Sequence, residues 1–99
     1  MATYISLIRW TEQGLQNARE TVDRVEQARA AVEQLGGRLD GVYWTQGEYD
    51  LVAISEFPDD ETATSFFLSL GMRGNVRTQT LRAFGADEMR RILQRLPQR

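Results

Sequence analysis

Asp50, Glu56 and Arg77 are the side chains whose types and spacing offer chemistry in this sequence. Asp50 follows Tyr49 at the opening of a strand-like run, Tyr49 to Phe57, directly after a Gln46-Gly47-Glu48 turn. A carboxylate there can hold a ligand ammonium, or it can accept hydrogen bonds from turn amides while Tyr49 packs; the second role is the plainer one for Asp. Glu56 shares one face of that strand with Asp50, Val52 and Ile54, because side chains alternate with a period of two. A half-buried carboxylate with raised proton affinity can serve as general acid or base. Mid-sheet charge survives chiefly when paired, so a salt bridge to Arg9, Arg77 or Arg82 is the competing expectation. Arg77 can grip a carboxylate or phosphate through its fork, with Thr78 next to it on the opposite side of a strand. Ordinary cross-strand pairing to Asp50 or Glu56 would explain it as well. Trp10 and Trp44, near strand ends with Tyr4 and Tyr43, can line an aromatic pocket at a subunit interface or anchor a core.

Composition removes many other chemistries. With no Cys and no His, the chain has no thiolate nucleophile, no disulfide, no imidazole base and no imidazole or thiolate metal ligand. No cofactor and no metal is expected. A net charge of −2 lacks the basic face that a nucleic-acid binder uses to displace counterions. No apolar run approaches the ~20 residues that span a bilayer, and Met1 to Trp10 does not read as a signal peptide. No nucleic acid or membrane partner is expected, and the expected location is cytoplasmic.

The elements that must position these residues fit one domain over residues 1–99. Thr3 to Trp10 reads as a strand, broken at Thr11-Glu12-Gln13-Gly14. Apolar residues at Leu15, Ala18, Val22, Val25, Ala28, Val32 and Leu35 recur every three or four positions and predict a long helix with one buried stripe. Thr21 is a candidate internal cap, and Gly36-Gly37 predicts a left-handed stop. Arg38 to Thr45 and Tyr49 to Phe57 form a hairpin around Gly47. Asp59 or Asp60 caps a second helix that buries Ala63, Phe66, Phe67 and Leu70. Val76 to Phe84 is a fourth strand, and Asp87 caps a C-terminal helix over 86–96 with a Met89, Ile92, Leu93, Leu96 stripe.

This order predicts an α+β, ferredoxin-like βαββαβ sandwich with an antiparallel four-stranded sheet plus a C-terminal helix. The strands are apolar on both sides: Ile5 and Leu7 against Tyr4, Ile8 and Trp10; Leu51, Ala53 and Phe57 against Val52 and Ile54. Two helices cover only one face. A bare apolar face is rare on a monomer, so either the C-terminal helix folds over it or a second copy packs there sheet to sheet, and the second arrangement is expected.

Gly47-Glu48-Tyr49-Asp50, Glu56-Phe57-Pro58-Asp59-Asp60-Glu61, Gly74-Asn75-Val76-Arg77-Thr78 and Leu81-Arg82-Ala83-Phe84 together resemble the GYD domain family, as do Tyr4-Ile5-Ser6-Leu7 and Trp10-Thr11-Glu12-Gln13-Gly14. The resemblance spans almost the whole chain. It implies a small bacterial or archaeal ferredoxin-like protein that oligomerises, and it implies no particular reaction. Gly47, Tyr49, Asp50, Pro58, Asp59, Gly74, Val76, Arg77 and Thr80 are also weakly similar to the effector-sensing domain of leucine-responsive, feast/famine regulators, which dimerise through sheets and bind amino acids between subunits. Dimeric α+β-barrel packing is shared by analogy of fold alone. The leading functional expectation is a homo-oligomeric small-molecule-binding or sensing module with Tyr49, Asp50, Glu56, Arg77, Thr78, Trp10 and Trp44 as candidate ligand-binding residues. The alternatives are a small cofactor-independent enzyme that moves a proton with a carboxylate, and a structural or interaction protein.

Overall fold

β-branched and aromatic runs extend where the sequence lacks Gly and Pro, and glycines with positive φ turn the chain where it must reverse. The computed structural model describes residues 1–98. Its elements are β1 (Ala2–Trp10), α1 (Glu12–Gln16), a single 3₁₀ turn at Ala18–Glu20, α2 (Thr21–Gln34), β2 (Arg38–Trp44), β3 (Leu51–Phe57), α3 (Asp60–Met72), β4 (Val76–Ala83) and α4 (Ala86–Gln94). The four strands form one sheet in the order β2-β3-β1-β4, with every neighbouring pair antiparallel. This is the α+β, ferredoxin-like arrangement that the sequence predicts.

Local chemistry accounts for the boundaries. Gly36 stops α2 at φ +80°, and Gly47 turns the β2–β3 hairpin at φ +104°, conformations that cost glycine little. Asp59 starts α3 by accepting a 2.8 Å hydrogen bond from the Thr62 amide. That bond holds the Asp59 carboxyl below the usual carboxylate range. Asp87 does not cap the last helix. Gly85 takes the N-cap position, and Glu88 reaches back to accept from the Gly85 amide at 3.3 Å, so the helix begins earlier than the Asp87 reading allowed.

The core lies between one face of the sheet and α2 and α3. Tyr4 of β1, Phe57 of β3, Val32 of α2, and Ala63 and Phe66 of α3 form it, with Ala28, Ala31, Phe67 and Leu70 packed against them. Phe57 is fully buried. Its ring lies 5.9 Å from Tyr4 and 5.8 Å from Phe67 in edge-on geometry, and 5.6 Å from Phe66. Such aromatic pairs add to the area they bury.

The long helical stripe is not continuous. The chain turns at Asn17, and α2 starts afresh at Thr21, with no side-chain cap at Glu20. Within α2 the predicted stripe holds at Val25, Ala28 and Val32, which face inward, but Val22 is 56% exposed, and Leu15 and Leu35 are exposed too. Gly14 is glycine for a steric reason. A Cβ there would lie 1.9 Å from the Asn75 carbonyl oxygen.

Tyr4 crosses the core to donate a hydrogen bond to Asp60 Oδ1. Burial, then that bond, pushes its hydroxyl up to about 12 from 10.0. The neutral phenol is the form the fold favours, so its contribution is complete below pH 10 and is lost as pH rises toward about 12. Tyr4→Phe should cost about 1 kcal/mol at neutral pH, a typical value for one hydrogen bond. It should also flatten the fall in stability above pH 10, which denaturant melts along an alkaline series would show.

Candidate functional site

Two of the residues singled out by type, Tyr49 and Asp50, lie at one end of the sheet, where β1 runs into Thr11. Asp50 lies across from this end. Its amide donates to the Ile8 carbonyl at 2.8 Å, and its Oδ2 accepts from the Trp10 amide at 2.9 Å. Tyr49 precedes it with its ring under the Arg9 guanidinium, 4.9 Å away, and its hydroxyl meets Gln79 at 3.1 Å. Arg9 also pairs with Glu48. From the other side, the Thr11 amide donates to the Asn75 carbonyl at 3.0 Å. The Thr11 hydroxyl donates to the Gly74 carbonyl at 2.5 Å, and Gln13 Nε2 reaches the Arg73 carbonyl and Asn75 Oδ1, both at 3.1 Å. Three sequence segments far apart in the chain are thus knotted around the end of β1.

The other candidates lie elsewhere. Glu56 sits toward the opposite end of the sheet, paired with Arg38, which also donates to Asp40 at 2.6 Å. Arg38 was not among the partners expected for Glu56; it is the cross-strand neighbour of Glu56 in the β2–β3 register. Burial raises the Asp40 carboxyl, but its hydrogen bonds to Glu56 and Arg38 outweigh that and hold it low. Arg77 is exposed and stands opposite Arg9 in the β1–β4 register. It pairs with neither Asp50 nor Glu56, whose bonds go to the Trp10 amide and to Arg38. Thr78 faces an open groove of about 430 Å³ between α3 and β4, with Tyr4, Asp60, Thr80 and Arg82. Trp44 donates through Nε1 to the Thr21 hydroxyl at 3.0 Å, and Trp10 lies on the helix-covered side of β1, against an interior cavity. So Tyr49 and Asp50 meet the backbone of Trp10, while the Trp10 indole faces the cavity and Glu56, Arg77, Thr78 and Trp44 do not join them.

The second face of the sheet is bare. Ile5, Leu7, Val52 and Ile54 point away from the core and are half-buried by their own neighbours alone. In register, Tyr43, Val52 and Leu7 make one row, and Ile54, Ile5 and Leu81 the next. Tyr43 is 62% exposed and Leu81 is 42% exposed. The ends of this face are polar: Arg9 with Glu48 at one, Arg38 with Asp40 and Glu56 at the other. α4 does not fold back over it. It packs extensively on no other element among the described residues, and it is tied by the 3.3 Å Arg82–Glu88 pair. Met89, Leu93 and Leu96 stay exposed.

Residues 4–93 match the family model for the GYD domain. The chain belongs to the GYD domain family. A curated relative from Thermus thermophilus, described as "Glutamine synthetase and cystathionine beta-lyase binding protein", is 32% identical over 90 residues, 90% of this chain and 95% of that protein. A crystal structure of a protein from Thermus thermophilus superposes with a TM-score of 0.54 at 32% identity, covering 87% of this chain and 96% of that one.

In this GYD domain three of the segments that carry the family resemblance come together. Gly47 to Asp50, Trp10 to Gly14 and Gly74 to Asn75 are the three segments that meet at the end of β1. In the sequence they stand on separate turns, and several of their polar groups also have local partners, so nothing local signals that they meet. No helix among the described residues is long and apolar enough to cross a membrane.

Proposed function

We propose that this GYD domain is a protein-binding module. Two copies pack open sheet to open sheet, and the assembly docks onto a metabolic enzyme, in the way the name of the Thermus relative describes for that protein. The bare sheet face carries the reading: an apolar centre of Ile5, Leu7, Val52, Ile54 and Leu81 inside a rim of paired charges has the anatomy of a protein interface. The face can be self-complementary, since a two-fold axis through its centre sets each apolar row against its own copy.

Proton-transfer catalysis is less well supported. Asp50 is committed to a backbone amide and Glu56 to Arg38, so neither is a free carboxylate facing a pocket. A role beside biosynthetic enzymes would place the chain in the cytoplasm. The test is to mix the protein with the glutamine synthetase of its own organism and follow both by sedimentation velocity. The expected result is a boundary heavier than the enzyme that contains this chain. Separate boundaries at ~100 µM, a concentration that would reveal even a weak complex, would refute docking on that enzyme.

A further inference from the structure

The interior cavity between α2, α3 and the sheet is not used by the interface reading. Its volume is about 90 Å³, room for roughly three groups the size of a water molecule or a methylene. The floor is Ile8, Leu39, Leu51 and Phe66, all buried. Arg73, which is exposed, and Trp10, Arg24 and Asn75, which are partly so, mark the mouth. That mouth lies at the end of β1 where the three motif segments are knotted together, so its rim is held rigidly.

Charge at the cavity is one-sided. Arg24 and Arg73 are its two ionisable lining residues, and no carboxylate lines it. Neither arginine makes an ion pair among the described residues. Arg24 gives Nη1 to the Asn17 carbonyl at 2.6 Å, but its Nη2 is buried with no hydrogen-bond partner among the described residues. A buried donor without an acceptor is costly, and a guanidinium without a counter-charge on an apolar wall is more so. α2 had cheap alternatives: Val22, two positions earlier, is exposed while Arg24 is turned inward.

We infer that this cavity binds a short-chain monocarboxylate, about four carbons long, with its alkyl tail on the apolar floor and its carboxylate at the mouth on Arg24 and Arg73. The carboxylate accepts the charge-assisted hydrogen bonds that Arg24 Nη2 lacks. A zwitterionic amino acid fits less well, because no lining residue offers an acceptor carboxylate for its ammonium group. The ligand class therefore differs from the one implied by the weak likeness to amino-acid sensors.

Butanoate is the probe, with butylamine as the size-matched cation, each titrated by calorimetry and by methyl NMR. One butanoate per chain should bind saturably with a Kd below ~1 mM, within the ceiling for a ligand of that size. The methyl signals of Val25, Leu39 and Leu51 should shift, and those of Ile54 and Leu81 on the open face should not. Butylamine should not bind. Arg24→Gln, and separately Arg73→Gln, should weaken butanoate at least about tenfold, as loss of a charge-assisted hydrogen bond does. No saturable binding of butanoate at ~10 mM, ten times that Kd limit, would overturn the inference. So would equal binding of butylamine by the wild-type protein, a comparison that needs no variant to fold. Unchanged affinity in both arginine variants would overturn it as well. Enzyme docking and sheet packing are read out by mass, so their failure leaves this titration unaffected, and the reverse holds too.

Discussion

Ile54→Asp is expected to leave the chain folded and to turn the proposed sheet-to-sheet dimer into monomers. Ile54 stands opposite Ile5 and Gly41 in the sheet register and faces away from the core. In a monomer the new carboxylate meets water, so the fold loses little. In the sheet-to-sheet dimer it is buried near the centre of the apolar band with no cation opposite it. An uncompensated buried charge costs about 3–5 kcal/mol, and the two-fold axis applies that cost twice. The dissociation constant should rise at least a thousandfold by the usual conversion of about 1.4 kcal/mol per factor of ten. Sedimentation equilibrium measures it directly. Val22→Asp on the exposed side of α2 is the control, and it should leave the mass unchanged. Trp10 is a poor probe of the same interface, because it lies on the helix-covered side of β1. If the Ile54 variant keeps the wild-type mass, the open sheet face is not where copies meet.

Phe57→Ala should have the largest effect on stability. Phe57 is fully buried and touches Tyr4, Phe66 and Phe67 at once. Its removal deletes apolar contact and leaves a hole that three rings on a sheet and a helix can only partly close. The expected loss is about 3–5 kcal/mol, a large share of the ~5–15 kcal/mol that holds a typical domain. Thermal melts should show a drop of roughly 15–25 °C, since each kcal/mol moves a domain of this size by several degrees. A loss below about 1 kcal/mol would mean the core repacks freely. Phe66→Ala is the useful comparison, since Phe66 keeps a little exposure and should cost less.

Much of this protein was legible in its residues. Alternation and β-branched content marked the strands, Gly36 and Gly47 marked two reversals that need positive φ, and Asp59 marked the start of α3. Those features depend on neighbours a few positions away, which a sequence displays. The apolar content on both sides of β1 and β3 also announced a second face to be covered.

What a sequence does not display is which partner a polar group finds across the fold. Asp50, just before β3, and Glu56, within it, have the same ionisable group, yet one ends on the Trp10 amide and the other on Arg38. That depends on strand order and register. The break before α2 was only partly legible: Thr21 marked a new start and Val25, Ala28 and Val32 keep the predicted face, but that Val22 is left in water and Arg24 lines the cavity was not visible. The residues by themselves determined the elements, the α+β class and an apolar second face, because those follow from local conformation and polarity. Only the tertiary structure decided that α4 stays off that face, that three motif segments close around the end of β1, and that two unpaired arginines share one apolar cavity. Each of these is set by long-range packing, where the burial of many side chains together outweighs the preference of any one.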